Sequence, residues 1–134
     1  MTGPHEARQR DLVKCEDMRL YAQRAMRFLG QRNLEQFLAD DMIQDAVVRC
    51  VEVIGEAARL ISEETRKLAP GVPWPLIVGM RHILAHDYGA VNLEKVHDVA
   101  SRHLPLLVAE LAAVIGALEE EVGWSEEQGE PPPQ

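Results

Sequence analysis

"DMIQDAVVRCVEVIGEAARLISEETRK", residues 41–67, decides the fold. Ile43, Val47, Cys50, Ile54, Ala58 and Ile61 recur at intervals of three and four, the period of a helix that buries one side. Asp40 and Asp41 stand at its start, where a carboxylate meets the positive end of the helix. The spacing predicts one long helix over residues 41–67.

The same period extends in both directions. Met18, Tyr21, Ala25 and Phe28 mark a first helix over residues 6–29, and Gly30 suits its C-terminal cap. Asn33 can cap a short helix, 34–39. "APGVPWP", residues 69–75, must form a loop, because prolines are excluded from helix interiors. Pro75 suits the first turn of a helix over 75–86, which Gly89 stops. Asn92 caps a last helix, 93–121, lined by Val96, Leu104, Leu107, Leu111, Val114 and Leu118. Pro105 should kink it. Strand patterns are nearly absent. The expected fold is all-α, an antiparallel bundle of four to five helices over residues 1–121. Residues 122–134 read as an acidic, proline-rich tail without fixed structure.

Length and charge limit the function classes. The chain has 134 residues, enough for one domain with a real core. Its net charge is −8, but residues 119–134 hold six acids and no base, so the remainder carries only −2. A broad basic footprint for nucleic acid is absent, and any such contact must come from a local cleft or a partner chain. "MTGPHEARQR" has no apolar run, which argues against a signal peptide. No stretch looks long enough to span a membrane, so the expected location is the cytoplasm, with no membrane partner. Cys15 and Cys50 sit in helical patterns and read as two reduced core thiols.

"MRHILAHDYGAVN", residues 80–92, concentrates the chemistry. Arg81 and His86 are five apart, turned by roughly 140° on a helix, so they do not stack on one line. A long arginine and a histidine at the helix end can still edge one groove. Three readings are open. The stretch suits a plain helix C-terminus, with cationic histidines near the negative end. His82 and His86, four apart, have the spacing of zinc ligands. They lack both the glutamate of that motif and a third ligand tied by spacing, although Asp87, His97, Asp98 and His103 are close in sequence. Finally, a histidine that exchanges a proton at neutral pH and an arginine that neutralises phosphate are the minimum equipment for cleaving RNA through its own 2′-hydroxyl.

Arg81, four residues, then His86 resembles the R-x4-H signature of HEPN domains, and Tyr88 extends it to the R-x4-H-x-Y of the HepT-like toxin family. "VEVIGEAARLIS" (51–62), "PGVPWPLIVGMRHILAHDYGAVNLEKV" (70–96) and "HLPLLVAEL" (103–111) resemble successive blocks of that family in order. The resemblance implies a homodimer of helical bundles whose two motifs face one cleft. It implies the toxin of a two-gene module, a metal-independent endoribonuclease acting on tRNA or mRNA without a cofactor. Arg81 would hold the scissile phosphate and His86 would be the general base or acid. The cognate antitoxin would be a minimal nucleotidyltransferase that silences the toxin by AMP transfer to Tyr88. Many members carry asparagine where this chain has His82, which could shuttle a second proton or stand in as a hydrogen-bonding group. The rival reading is a non-catalytic module that binds nucleotide or presents substrate to a nucleotidyltransferase.

Other residues carry smaller expectations. Glu52 and Glu56 read as a solvated face paired with Arg49 or Arg59, or Glu56 could support the cleft by orienting Arg81. Gly55 and Gly79, inside helices, suggest close helix crossings. Trp74 reads as a core or dimer anchor. His97 and His103 read as solvent-facing or capping residues, and Asp87 as solvated.

Overall fold

The structure, a computed structural model, describes residues 3–85 and 91–124; of Arg81, Ile83, Ala85 and Trp124 only the backbone is described. All regular structure among these residues is helical. The chain runs through α1 (Pro4–Leu29), α2 (Leu34–Leu38), α3 (Asp41–Arg59), α4 (Glu63–Lys67), α5 (Trp74–Ala85) and α6 (Leu93–Asp98). A π-helical turn, Val99–His103, leads without a break into α7 (Leu104–Trp124). The expected all-α bundle is therefore the observed one.

Helix ends follow from their capping chemistry. Pro4 sits in the first turn of α1, where its missing N–H costs nothing. Gly30 ends that helix at φ 59°, a backbone conformation that favours glycine, and its N–H reaches Met26 O at 2.8 Å. Arg32 Nη1 donates to Phe28 O at 3.0 Å and Leu29 O at 3.1 Å, so two terminal carbonyls find partners. Asn33 and Gln36 form a reciprocal capping box on α2. Asp40 Oδ1 accepts from Ile43 N at the start of α3, and Asn92 Oδ1 from Lys95 N at the start of α6.

The long helix predicted over 41–67 is two helices. It breaks after Arg59, and Ser62 caps α4 by accepting from Thr65 N. The cause is a buried carboxylate on α1. Asp11, only 3% exposed, accepts from Ser62 N at 3.1 Å and from the hydroxyls of Ser62 and Thr65 at 2.5 Å each. These bonds satisfy Asp11 only if the chain turns at residues 60–62. Arg8 donates to Thr65 Oγ1 at 2.9 Å and pairs with Glu121 at 3.3 Å, tying α1 to α4 and α7.

The predicted kink at Pro105 takes another form. Leu104 N–H bonds Val99 O, five residues back, and this wide turn carries the helix past the proline instead of interrupting it. The whole run from Leu93 to Gly123 is consequently long and apolar enough, by length and composition, to cross a membrane. That overturns the expectation that no stretch reaches such a length. The residues predicted to line one face (Val96, Leu104, Leu107, Leu111, Val114, Leu118) are all buried.

One core unites the elements. α1 packs on α3 and α7, and α3 packs on α5. Met18, Ala25, Val47, Cys50, Ile54 and Ala58 are buried as expected, while Tyr21, Phe28 and Ile43 pack against the core's edge. Trp74 is a core residue whose Nε1–H donates to Ala69 O at 3.1 Å, closing the proline loop. Arg66 stacks over its ring at 5.7 Å and donates to Ala58 O at 3.0 Å. Gly55 is buried in α3, as a close crossing requires. Gly79 differs: a Cβ added there meets nothing within 4 Å among the described residues, so crowding does not explain it. The 1–121 boundary placed on the domain falls three residues before the end of α7.

Candidate functional site

Arg81 and His82 lie in the C-terminal half of α5, and the rest of the motif follows that helix in sequence. Ile77, Met80 and Leu84 are buried and seat this helix against α3. The side chain of Arg81, and His86, Asp87, Tyr88 and the stop residue Gly89, lie outside the described residues. His82 is exposed. Leu84, one turn beyond Arg81, borders a polar groove of about 500 Å³ shared with Lys14 and Asp17 of α1 and with Arg49, Glu52 and Glu56 of α3. Three helices thus bring Glu56 to the motif helix, although 28 residues separate Glu56 from Leu84 in sequence.

Charge along the groove is mixed and largely paired. Glu56 Oε1 accepts from Arg59 Nη2 at 2.6 Å, which pushes the exposed Arg59 guanidinium still further above its ordinary range. Glu52 Oε2 accepts from Arg49 Nη1 at 3.3 Å. Both pairings were expected from the one-turn spacing. Lys14 and Asp17 were not singled out in the sequence, because neighbours on a different helix leave no periodic signal.

Two further histidines, His97 and His103, have structural tasks. His97 was expected to face solvent or cap a helix. Its Nε2 lies 3.0 Å from Arg32 O, and its ring meets Phe37 at 5.6 Å between centroids, so it joins α6 to the α1–α2 link. His103 lies 3.4 Å from Asp98, which also holds Arg102 at 3.4 Å. Among the described residues no group of three or more His, Cys, Asp or Glu side chains is placed to hold a metal ion.

The two cysteines are buried and unpaired with each other. Burial, helped by Asp11 and then Glu16, pushes the Cys15 thiol up to about 12. Burial also raises Cys50, against the pull of Arg24, Arg27 and Arg49. Neither is poised as a nucleophile.

Residues 18–114 match the family model described as "Ribonuclease HepT-like". The chain belongs to the HepT-like family. The match takes in α3, α5, the Arg81–His86–Tyr88 stretch and the groove apart from Lys14 and Asp17. Among relatives, "Putative RNase MJ0125" of Methanocaldococcus jannaschii is 34% identical over 78% of this chain and 90% of its own length. "Putative RNase MJ1216" of the same organism is 33% identical over 77% and 85%. "Probable ribonuclease HepT" of Thermococcus cleftensis is 36% identical over 54% and 66%. No solved structure matches the chain at a significant level. The R-x4-H-x-Y stretch, Arg81 to Tyr88, lies inside the matched residues.

Proposed function

We propose that this HepT-like chain is a metal-independent endoribonuclease, the toxin of a two-gene module, with tRNA or mRNA as substrate. The observation that carries the reading is the match over residues 18–114, which spans the whole R-x4-H-x-Y motif and whose curated relatives are named as RNases. Arg81 holds the scissile phosphate through charge-assisted hydrogen bonds. His86 takes the proton from the 2′-hydroxyl as that oxygen attacks phosphorus, and the 5′-oxygen leaves with a proton returned by an imidazolium. The products are a cyclic phosphate and a 5′-hydroxyl end, so no water enters the first step and no metal is needed. Two chains supply two such pairs to one cleft, which gathers positive charge that a single acidic chain lacks. His82 stands beside Arg81 as a further hydrogen-bonding group, and Glu56 supports the motif from α3.

Tyr88 is the control point in this reading. A minimal nucleotidyltransferase antitoxin moves AMP from ATP to the Tyr88 hydroxyl, releasing pyrophosphate. The added phosphate repels RNA and occupies Arg81. Intact-mass measurement after incubation with ATP and the antitoxin tests this: wild type gains AMP and Tyr88→Phe does not. Expression in a bacterial host tests the toxin. Wild type arrests growth, and Arg81→Ala and His86→Ala do not. Equal growth of all three would favour a non-catalytic, nucleotide-binding or substrate-presenting partner of the nucleotidyltransferase instead.

A further inference from the structure

Positive charge gathers past the end of the groove that lies away from Leu84. Inside the groove the signs balance: Asp17, Glu52 and Glu56 stand against Lys14, Arg49 and the Arg59 that holds Glu56. Past Arg49 the balance ends. Arg24 lies seven residues beyond Asp17, two turns along the same line of α1, and Arg27 follows three residues later. Arg8, Arg49, Arg59 and Arg102 each pair with a carboxylate. Arg24 and Arg27 pair with none among the described residues. The Arg24 guanidinium lies over the Tyr21 ring at 5.0 Å and that of Arg27 over the Phe28 ring at 5.5 Å. Such stacking occupies the flat face of a guanidinium and leaves the N–H donors along its edge for an oxyanion. The two buried thiols register the local sign. Burial raises both, but Arg24, Arg27 and Arg49 pull Cys50 back down, whereas Asp11 and Glu16 push Cys15 further up. Three guanidiniums thus lie within electrostatic reach of one sulfur, in a chain whose net charge is −8.

We propose that Arg24, Arg27 and Arg49 form a strip that grips the phosphates of the RNA strand flanking the scissile bond. The inference rests on the ribonuclease reading above and adds the residues that hold substrate away from the reacting atoms. Arg49 lines the same groove as Leu84, one turn past Arg81, and Arg24 and Arg27 extend that groove along α1. A strand lying in the groove therefore passes from the motif helix onto the strip. The fork of an arginine matches two oxygens of one phosphate, and stacking on Tyr21 and Phe28 holds two of the forks in place before the strand arrives. These contacts read phosphate and no base edge, so they position RNA of any sequence. Continuity with the motif groove favours the strand being cut over an acidic protein segment as the occupant. A strip of this kind is the local cleft that an acidic chain without a broad basic face needs.

Fluorescence anisotropy of the full chain with a labelled 2′-O-methyl oligoribonucleotide, which cannot be cut through its own 2′-oxygen, tests the strip. Wild type binds it, and more weakly as salt rises. Arg24→Gln with Arg27→Gln raises Kd about tenfold and lowers the steepness of log Kd against log salt by about 1.4, the loss of two phosphate contacts on a single strand. Arg24→Lys with Arg27→Lys keeps most of that steepness. Lys67→Gln with Arg102→Gln removes the same charge from two exposed positions elsewhere and shifts Kd less than about twofold. On cleavable RNA the Arg24→Gln, Arg27→Gln chain raises KM about tenfold while kcat changes less than about twofold. Failure of wild type to bind, or equal losses in the two glutamine pairs, would overturn the strip. So would wild-type Kd, salt steepness and KM in the Arg24→Gln, Arg27→Gln chain, and if that chain still cuts RNA the ribonuclease reading stands without the strip. Binding that depends on the strip in a chain that cuts no RNA would support the strip and count against the nuclease.

Discussion

Asp11 and Ser62, 51 residues apart, are joined by two hydrogen bonds: Ser62 N–H donates to Oδ1 at 3.1 Å and its hydroxyl to Oδ2 at 2.5 Å. The pair fixes where the chain leaves α3 and where α4 begins, and so the angle at which the groove wall meets α1. Removing the carboxylate leaves a buried N–H and two hydroxyls without their acceptor. Asp11→Ala should lose about 3 kcal/mol of stability. Urea unfolding followed by circular dichroism checks this, with Glu16→Ala, an exposed neighbour on the same helix, changing by about 0.5 kcal/mol or less.

Cys15 supplies a pH prediction. Its thiol ionises near 9.0 when the chain is unfolded and near 12 when folded. Below pH 9 the thiol is neutral in both states and costs nothing. Between pH 9 and 12 the unfolded chain sheds the proton while the folded one keeps it, so stability falls as pH rises, by about 1.4 kcal/mol per unit for this group. At pH 8 the folded thiolate fraction is about one in ten thousand. Thiol titration with a disulfide reagent should be negligible for Cys15 in buffer and rapid in urea. Replacing Cys15 with alanine should flatten the alkaline loss of stability.

The two sides of α7 contribute unequally to folding. Leu111, fully buried, faces the core, and Leu106 faces outward. Leu111→Ala should cost about 3 kcal/mol through lost contacts and an unfilled cavity. Leu106→Ala should cost about 0.5 kcal/mol or less at concentrations where the chain is monomeric. Unfolding midpoints at low and high protein concentration check both values.

Much of this architecture was legible in the sequence. Periodicity located α1, α3 and the last helix because each buries a stripe, Pro75 and Gly89 bracketed the helix between them, and Gly30, Asn33, Asp40 and Asn92 marked helix ends because capping is local chemistry. The break after Arg59 was not legible. It depends on Asp11, a polar residue whose burial is set by a partner half the chain away. The fate of Pro105 was hidden for another reason: a π-helical turn keeps the apolar stripe in phase, so the sequence reads as kinked where the helix runs on. Of the candidate site, Arg81, His86 and Tyr88 were legible only as a motif, since two of them fall in a stretch whose helical signal ends at Gly89. Glu56 was visible as a partner of Arg59, but its place beside α5 came from the packing of α3 on that helix. Lys14 and Asp17 left no trace.

The groove yields a prediction for Glu56. Glu52 and Glu56 form ion pairs of the same kind on α3, both largely open to solvent. Glu52→Ala and Glu56→Ala should each change stability by about 0.5 kcal/mol or less. Their effects on RNA cleavage should differ. If Glu56 positions the motif, Glu56→Ala lowers kcat about tenfold with KM little changed, Glu56→Gln recovers part of the loss, and Glu52→Ala leaves kcat near wild type. Equal effects of the two alanine variants would reduce Glu56 to a surface pair.

Cleavage of RNA by the purified chain in EDTA is the most direct test of the account. Wild type should cut a pool of tRNA and mRNA, leaving cyclic phosphate and 5′-hydroxyl ends. Arg81→Ala and His86→Ala should retain the wild-type circular dichroism spectrum and lose at least about a hundredfold in rate. Cleavage that persists in both variants, or that stops with EDTA and returns with a divalent metal, would contradict it.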